Sequence, residues 1–140
     1  MARKTVLDLL KMKAGSQKIA MVTAYDYTMA RIADAAGVDM VLVGDSVGMV
    51  IQGLPDTLAV TLDDMAYHGR CVARGLQNAH LVVDLPFMTY QVSPSQALES
   101  SGRLVQETGF QPRSLLAYLD RCLDTSDAVP IPQQMQWDYK

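Results

Sequence analysis

Three short, continuously apolar runs punctuate the chain: IAMVTA at 19–24, MVLVG at 40–44 and HLVVDLPF at 80–87. Each is too short for an apolar helix and is bounded by polar or turn residues, which predicts strands buried on both faces. Between them the apolar positions recur at helical spacing. A first helix is predicted over 5–14, stopped by Gly15. Asp26 caps a second, whose apolar positions Met29, Ile32, Ala33 and Ala36 precede Gly37. Thr61 and Asp64 form a weak capping box for a third, running to about Leu76. In SPSQ at 93–96, Ser93 caps, Pro94 occupies the first helical position and Gln96 reaches back. That helix carries Ala97, Leu98, Ser101, Leu104 and Val105 on one face and ends at Gly109.

The order is helix, then strand and helix three times. Apolar strands joined by helical crossovers predict an α/β fold with a parallel sheet covered by helices. Three strands cannot close a barrel, and a complete eight-unit barrel takes roughly 250 residues. Past Gly109 the alternation stops: a short helix over 114–123 is possible, followed by a Pro- and Gln-bearing end without a strand-like run. The chain therefore divides at about residue 110, into a βα-repeating part over 1–110 and a divergent tail over 111–140.

Composition narrows the partners. The 140 residues are 49% hydrophobic, enough for one packed domain, and carry a net charge of −3 with acids and bases interspersed. Without a basic stripe, nucleic acid is not an expected partner. No run approaches the ~18 apolar residues of a membrane helix, and Asp8, Lys11 and Lys13 interrupt the segment where a signal peptide would be apolar. A cytoplasmic protein is expected. Cys71 and Cys122 have neither C-x-x-C nor zinc spacing and read as structural thiols. The nine methionines read as core filler.

The chemistry is concentrated where apolar runs end in acids. In VLVGDSVGMV, Asp45 and Ser46 follow the second predicted strand, and Asp84 ends the apolar core of the third. Ligands of parallel α/β sheets gather at the carboxyl ends of strands. Two carboxylates on that rim suit Mg2+, which takes one or two such ligands and can polarise a carbonyl. The alternative reading is that each Asp only caps a turn. The long loop over 46–60, with Gly48 and Gly53, has the length to close over a substrate. His68 and His80 have no partner at ligand spacing and read as packing or surface residues. The glycines around Asp45 fit neither the phosphate loop nor the dinucleotide motif.

Several co-ordered motifs resemble one family. VTAYDY (22–27), VLVGDSVGM (41–49), Gln52-Gly53 with Thr57, VTLDDMAYH (60–68) and DLPFMTY (84–90) follow the order and spacing of ketopantoate hydroxymethyltransferase from about Thr5 to Phe110. The resemblance implies the first three βα units of a (β/α)8 TIM barrel plus an N-terminal helix, in a cytosolic homo-oligomer, commonly a decamer. It implies hydroxymethyl transfer from 5,10-methylenetetrahydrofolate to 3-methyl-2-oxobutanoate, giving 2-dehydropantoate on the route to pantothenate. It places Mg2+ on Asp45 and Asp84, and the 2-oxo acid on Asp45, Ser46 and Asp84.

The likeness stops after QETGF. The family continues with a strand of the form V-K-hydrophobic-E-G-G, whose lysine binds substrate and whose glutamate serves the metal. Here the chain reads QPRSLLAYLDRC, with no glutamate from Thr108 onward and only the terminal Lys140. The family's general-base glutamate is also missing, so no catalytic base is assigned. A frameshifted, truncated or misassembled reading frame is the expectation, and a non-catalytic fragment of the enzyme is the rival function. A serine esterase of the G-D-S type is a poorer fit, because no histidine follows His80 to serve Ser46 as base. A phosphoacceptor domain lacks the acidic pair and lysine it would need.

Overall fold

A computed structural model describes residues 3–109. The tail over 111–140, its possible helix and Cys122 lie outside the described residues. Within them α1 (Val6–Ala14), β1 (Met21–Thr23), α2 (Tyr27–Ala35), β2 (Met40–Val43), α3 (Val47–Val50), α4 (Leu62–Gly75), β3 (His80–Val83) and α5 (Pro94–Thr108) follow in order. The three strands form one parallel sheet in the order β1-β2-β3.

Local chemistry sets the helix starts. Thr5 accepts from Asp8 N at 3.3 Å while Asp8 accepts from Thr5 N at 2.9 Å, and Thr61 and Asp64 repeat the exchange at 3.2 and 2.9 Å. Asp26 Oδ1 accepts from Met29 N at 2.8 Å, and Ser93 Oγ from Gln96 N at 3.1 Å. Gln96 does reach back, but past the cap, accepting from Val92 N at 3.1 Å. Gly109 ends α5 in the left-handed region at φ 65°, where a side chain would be strained.

The strands are shorter than the apolar runs that encode them. In β3 the run HLVVDLPF pairs only to Val83, and Asp84 N then donates to Val43 O at 3.0 Å. Pro86 has no N–H with which to extend the ladder. Coverage is also uneven across the sheet. Val41 and Val43 of β2 are fully buried while Met40 and Leu42 are only half-buried, and β1 is exposed along its length. In β3 the consecutive residues His80 and Leu81 are both buried, so burial on both faces is met at the start of β3 but not in β1 or β2.

Helix packing selects faces that periodicity alone does not. α2 meets α4 through Ala30, fully buried, and half-buried Ala33, whereas Met29 and Ile32 are 50% and 58% exposed. Small residues win because the helices nearly touch: a Cβ on Gly75 would lie 2.7 Å from Tyr27 O and 2.8 Å from Ala30 Cβ. α5 likewise buries Ser100, Leu104 and Thr108, with Leu98 turned outward. A Cβ on Gly69 would lie 2.7 Å from Thr108 Cγ2. Arg70 pairs with Glu107, and Arg103 joins Glu107 to Asp63 across the same seam. Met65 is fully buried, but Met21, Met29, Met49 and Met88 are exposed, so core filling does not describe the methionines as a group.

The amino ends of the strands are tied by acids. Asp34, buried at the end of α2, accepts from Gln77 N (3.1 Å), Asn78 N (2.9 Å), Asn78 Nδ2 (3.0 Å) and Ala79 N (2.7 Å). Asp39 accepts from Ala20 N at 2.8 Å and pairs with Lys4 Nζ at 2.8 Å. Lys4 N donates to Asn78 O at 2.7 Å, and the Arg3 guanidinium donates to Ala73 O and Leu76 O at the end of α4. These contacts leave the opposite rim, at the carboxyl ends of the strands, to the candidate site.

Candidate functional site

The register places Val43 beside Val83, so Gly44 and Asp84 leave the sheet together and Asp45 stands one residue further along the neighbouring chain. Both carboxylates thus lie on one rim of adjacent strands, as the apolar runs predict. Burial pushes the Asp84 carboxyl above the usual carboxylate range, the Asp45 charge pushes it further, and a polar backbone contact from Asp45 partly opposes both. A neighbouring charge has such an effect only at short range.

Gly44 keeps the space between the polar groups open. A Cβ there would lie 3.0 Å from Ser46 Oγ and 3.3 Å from Asp84 Oδ2, tight enough that a neighbour would have to shift. Ser46 stands at the N-terminus of α3 but makes no side-chain cap. Its Oγ instead meets the Tyr25 hydroxyl at 2.7 Å. Tyr25 is 8% exposed, and its carbonyl lies 2.7 Å from His68 Nδ1 on α4. His68 is therefore a packing residue. His80 is buried, its Nδ1 lies 3.0 Å from Lys4 O, and burial lowers its pKa against that bond.

The loop over 46–60 leaves the rim and folds back on itself, with Leu54 N donating to Gly48 O at 2.9 Å. α3 turns it back, and a Cβ on Gly48 would meet Val60 Cγ2 at 2.6 Å and Asp56 O at 3.3 Å. Gly53 takes φ +72°, which a side chain would resist. The loop is packed at its root, and Met49, Val50, Ile51 and Leu58 are exposed.

The donor set suits a hard divalent cation. Two carboxylates on one rim, one of them half-buried and repelled by the other, match the one or two acidic ligands Mg2+ takes while keeping water and substrate on its remaining positions. Among the described residues no group of three His, Cys, Asp or Glu side chains forms a fuller cage. Tyr25 is the site residue that sequence reasoning leaves without a role. Its only local signal is its place directly after the first strand in VTAYDY.

The fold and this rim define a class: an α/β protein whose polar groups converge at the carboxyl ends of a parallel sheet. The chain belongs to the ketopantoate hydroxymethyltransferase family, whose profile matches residues 3–113. It is 60% identical over 105 residues to the 3-methyl-2-oxobutanoate hydroxymethyltransferase of Syntrophotalea carbinolica, covering 75% of this chain and 39% of that one. It is 54% identical over 109 residues to the enzyme of the same name from Chloroflexus aurantiacus, covering 78% of this chain and 38% of that one. The enzyme of that name from Dehalococcoides mccartyi is 52% identical over 109 residues, with 78% and 39% coverage. The chain spans about two-fifths of the length of these curated relatives. Among the described residues no helix is long and apolar enough to cross a membrane.

Proposed function

We propose that the rim holding Asp45, Ser46 and Asp84 is the 2-oxo acid and Mg2+ site of a hydroxymethyl transfer from 5,10-methylenetetrahydrofolate to 3-methyl-2-oxobutanoate, giving 2-dehydropantoate in the cytoplasm. The observation that carries the reading is the convergence of Asp45 and Asp84 on one rim, with Ser46 Oγ beside the notch over Gly44. Asp45 and Asp84 would hold the metal. When bound, Mg2+ supplies positive charge against the ketone oxygen, where negative charge grows as the neighbouring carbon loses its proton.

The chain's own residues bind and orient. Ser46 Oγ offers a hydrogen bond to the 2-oxo acid, Gly44 leaves room for it, and the loop over 46–60 shields it from water. In this reading the three βα units are part of a (β/α)8 barrel that assembles as a homo-oligomer. The barrel reading is supported by the uninterrupted β1-β2-β3 order of parallel neighbours.

A second reading, a binding half-site without turnover, is favoured by the sequence after Phe110, where QPRSLLAYLDRC stands in place of the family's V-K-hydrophobic-E-G-G strand. Calorimetric titration of the purified full chain with 3-methyl-2-oxobutanoate, with and without Mg2+, tests the site. Mg2+-dependent binding that Asp84→Asn removes is expected, and its absence rejects the site. Folate-dependent formation of 2-dehydropantoate by the same preparation separates the readings, since robust turnover rejects the half-site.

A further inference from the structure

The Tyr25 hydroxyl lies 2.7 Å from Ser46 Oγ, and no role in the chemistry above uses it. Three observations make this contact more than packing. Tyr25 is 8% exposed, so its ring has little freedom, and its carbonyl lies 2.7 Å from His68 Nδ1 on α4. A serine at a helix N-terminus ordinarily turns its oxygen to the backbone N–H two or three residues on. Ser46 has helical backbone at φ −54° and ψ −10° and makes no side-chain cap, which leaves its oxygen to a tertiary partner. Finally, the oxygen held this way sits 3.0 Å from where a Gly44 Cβ would be, and Asp84 Oδ2 lies 3.3 Å from the same point.

We propose that Tyr25 is a positioning residue: its hydroxyl holds Ser46 Oγ in the single rotamer that faces the notch between Asp84 and Gly44, and so aims the hydrogen bond that Ser46 gives a 2-oxo acid. This rests on the reading of Asp45, Ser46 and Asp84 as a 2-oxo acid site. A serine hydroxyl has one proton and two lone pairs. Either hydroxyl can donate across this contact, and with the more acidic phenol as donor the Ser46 proton is left for a ligand oxygen. Without Tyr25 the Ser46 hydroxyl is free to turn among its rotamers.

Tyr25→Phe in the full chain removes one oxygen and keeps the ring. Two readouts are needed. The Hα–Hβ couplings of Ser46, measured by nuclear magnetic resonance without ligand, are expected to show one rotamer in the wild type and averaging in Tyr25→Phe. Calorimetry with 3-methyl-2-oxobutanoate and Mg2+ is expected to show roughly 3- to 10-fold weaker binding in Tyr25→Phe, the range of one hydrogen bond. Because Tyr25 acts through Ser46, the double variant Tyr25→Phe/Ser46→Ala should bind no more weakly than Ser46→Ala alone.

Unchanged Ser46 couplings overturn the proposal, as do additive losses in the double variant, which would mark Tyr25 as a packing residue only. If the wild type binds no 2-oxo acid, the site reading fails and takes the ligand half of the proposal with it. The couplings then still decide whether Tyr25 holds Ser46. Ser46→Ala gives the reciprocal test should Tyr25→Phe fold poorly: loss of the partner shifts the Tyr25 Cζ resonance, and an unmoved resonance overturns the contact.

Discussion

The backbone N–H of Asp84 donates to the carbonyl of Val43 across 3.0 Å, and this last rung of the parallel ladder sets the Asp84 carboxyl beside the turn that carries Asp45. Burial and the Asp45 charge together hold that carboxyl above the ordinary range. The Asp45 charge makes ionising Asp84 more costly, a cost that a cation held between the two would lower.

Asp84→Asn removes the half-buried charge and keeps the shape. Without Mg2+ at neutral pH it is expected to stabilise the chain by about 1 kcal/mol, as neutralising a strained functional group commonly does. Adding Mg2+ should raise the melting temperature of the wild type and leave that of the variant unchanged. Thermal melts with and without Mg2+ check both halves. A lower metal-free melting temperature in the variant would make Asp84 a structural partner instead.

Asp34 has the opposite electrostatics. Burial works to raise its pKa, but the N–H groups of Ala79, Asn78 and Gln77 and the Asn78 side chain outweigh it and hold the carboxyl below the usual range. Because the folded value lies below the unfolded one, the stabilisation is present above the ordinary carboxyl value and is lost as pH falls through the lowered one. Asp34→Ala leaves these donors unpartnered in a buried turn and should cost about 3 kcal/mol at neutral pH. Urea melts as a function of pH should show a flatter acid limb in the variant than in the wild type.

Two helical glycines predict opposite signs. Gly75→Ala drives a methyl into Tyr27 O and Ala30 Cβ, at 2.7 and 2.8 Å, and should destabilise by about 1–3 kcal/mol. A Cβ on Gly102 of α5 would meet nothing within 4 Å, and Gly102→Ala should stabilise by about 0.5–1 kcal/mol through helix propensity. Chemical denaturation of both variants checks the contrast. Equal effects would mean that α2 and α4 are not in close contact.

Gly44→Ala tests the notch. The added methyl stands between Ser46 Oγ and Asp84 Oδ2, so affinity for 3-methyl-2-oxobutanoate should fall at least about 10-fold, the weight of one misplaced methyl group in a pocket. The neighbours at the notch are side-chain ends, so the melting temperature should move little. Calorimetry and melting on the same preparation separate the two effects.

Much of this was legible because it is local. Asp26, Thr61 and Ser93 cap helices through contacts three residues away, and Gly109 stops α5 by its own backbone freedom. The rim was legible too, since an apolar run followed by Asp marks where a strand leaves the core. What misled was the apolar periodicity of α2 and α5. Met29 and Ile32 fit the helical spacing as well as Ala30 does, yet the close approach of Gly75 admits only the smaller side chain. Strand lengths were overread for a similar reason: apolar character says that a residue is buried, and pairing ends where a partner or an N–H is missing, as at Pro86.

By itself the sequence determined the element order, the helix caps and the two acids at strand ends, because these follow from forces acting over a few neighbouring residues. Only the tertiary structure decided which faces are buried, that Asp34 reaches Ala79 across 45 residues, and that Tyr25 meets Ser46 across 21. Those contacts depend on parallel register and helix-to-helix distance, and such geometry exists only once segments far apart in the chain have packed together.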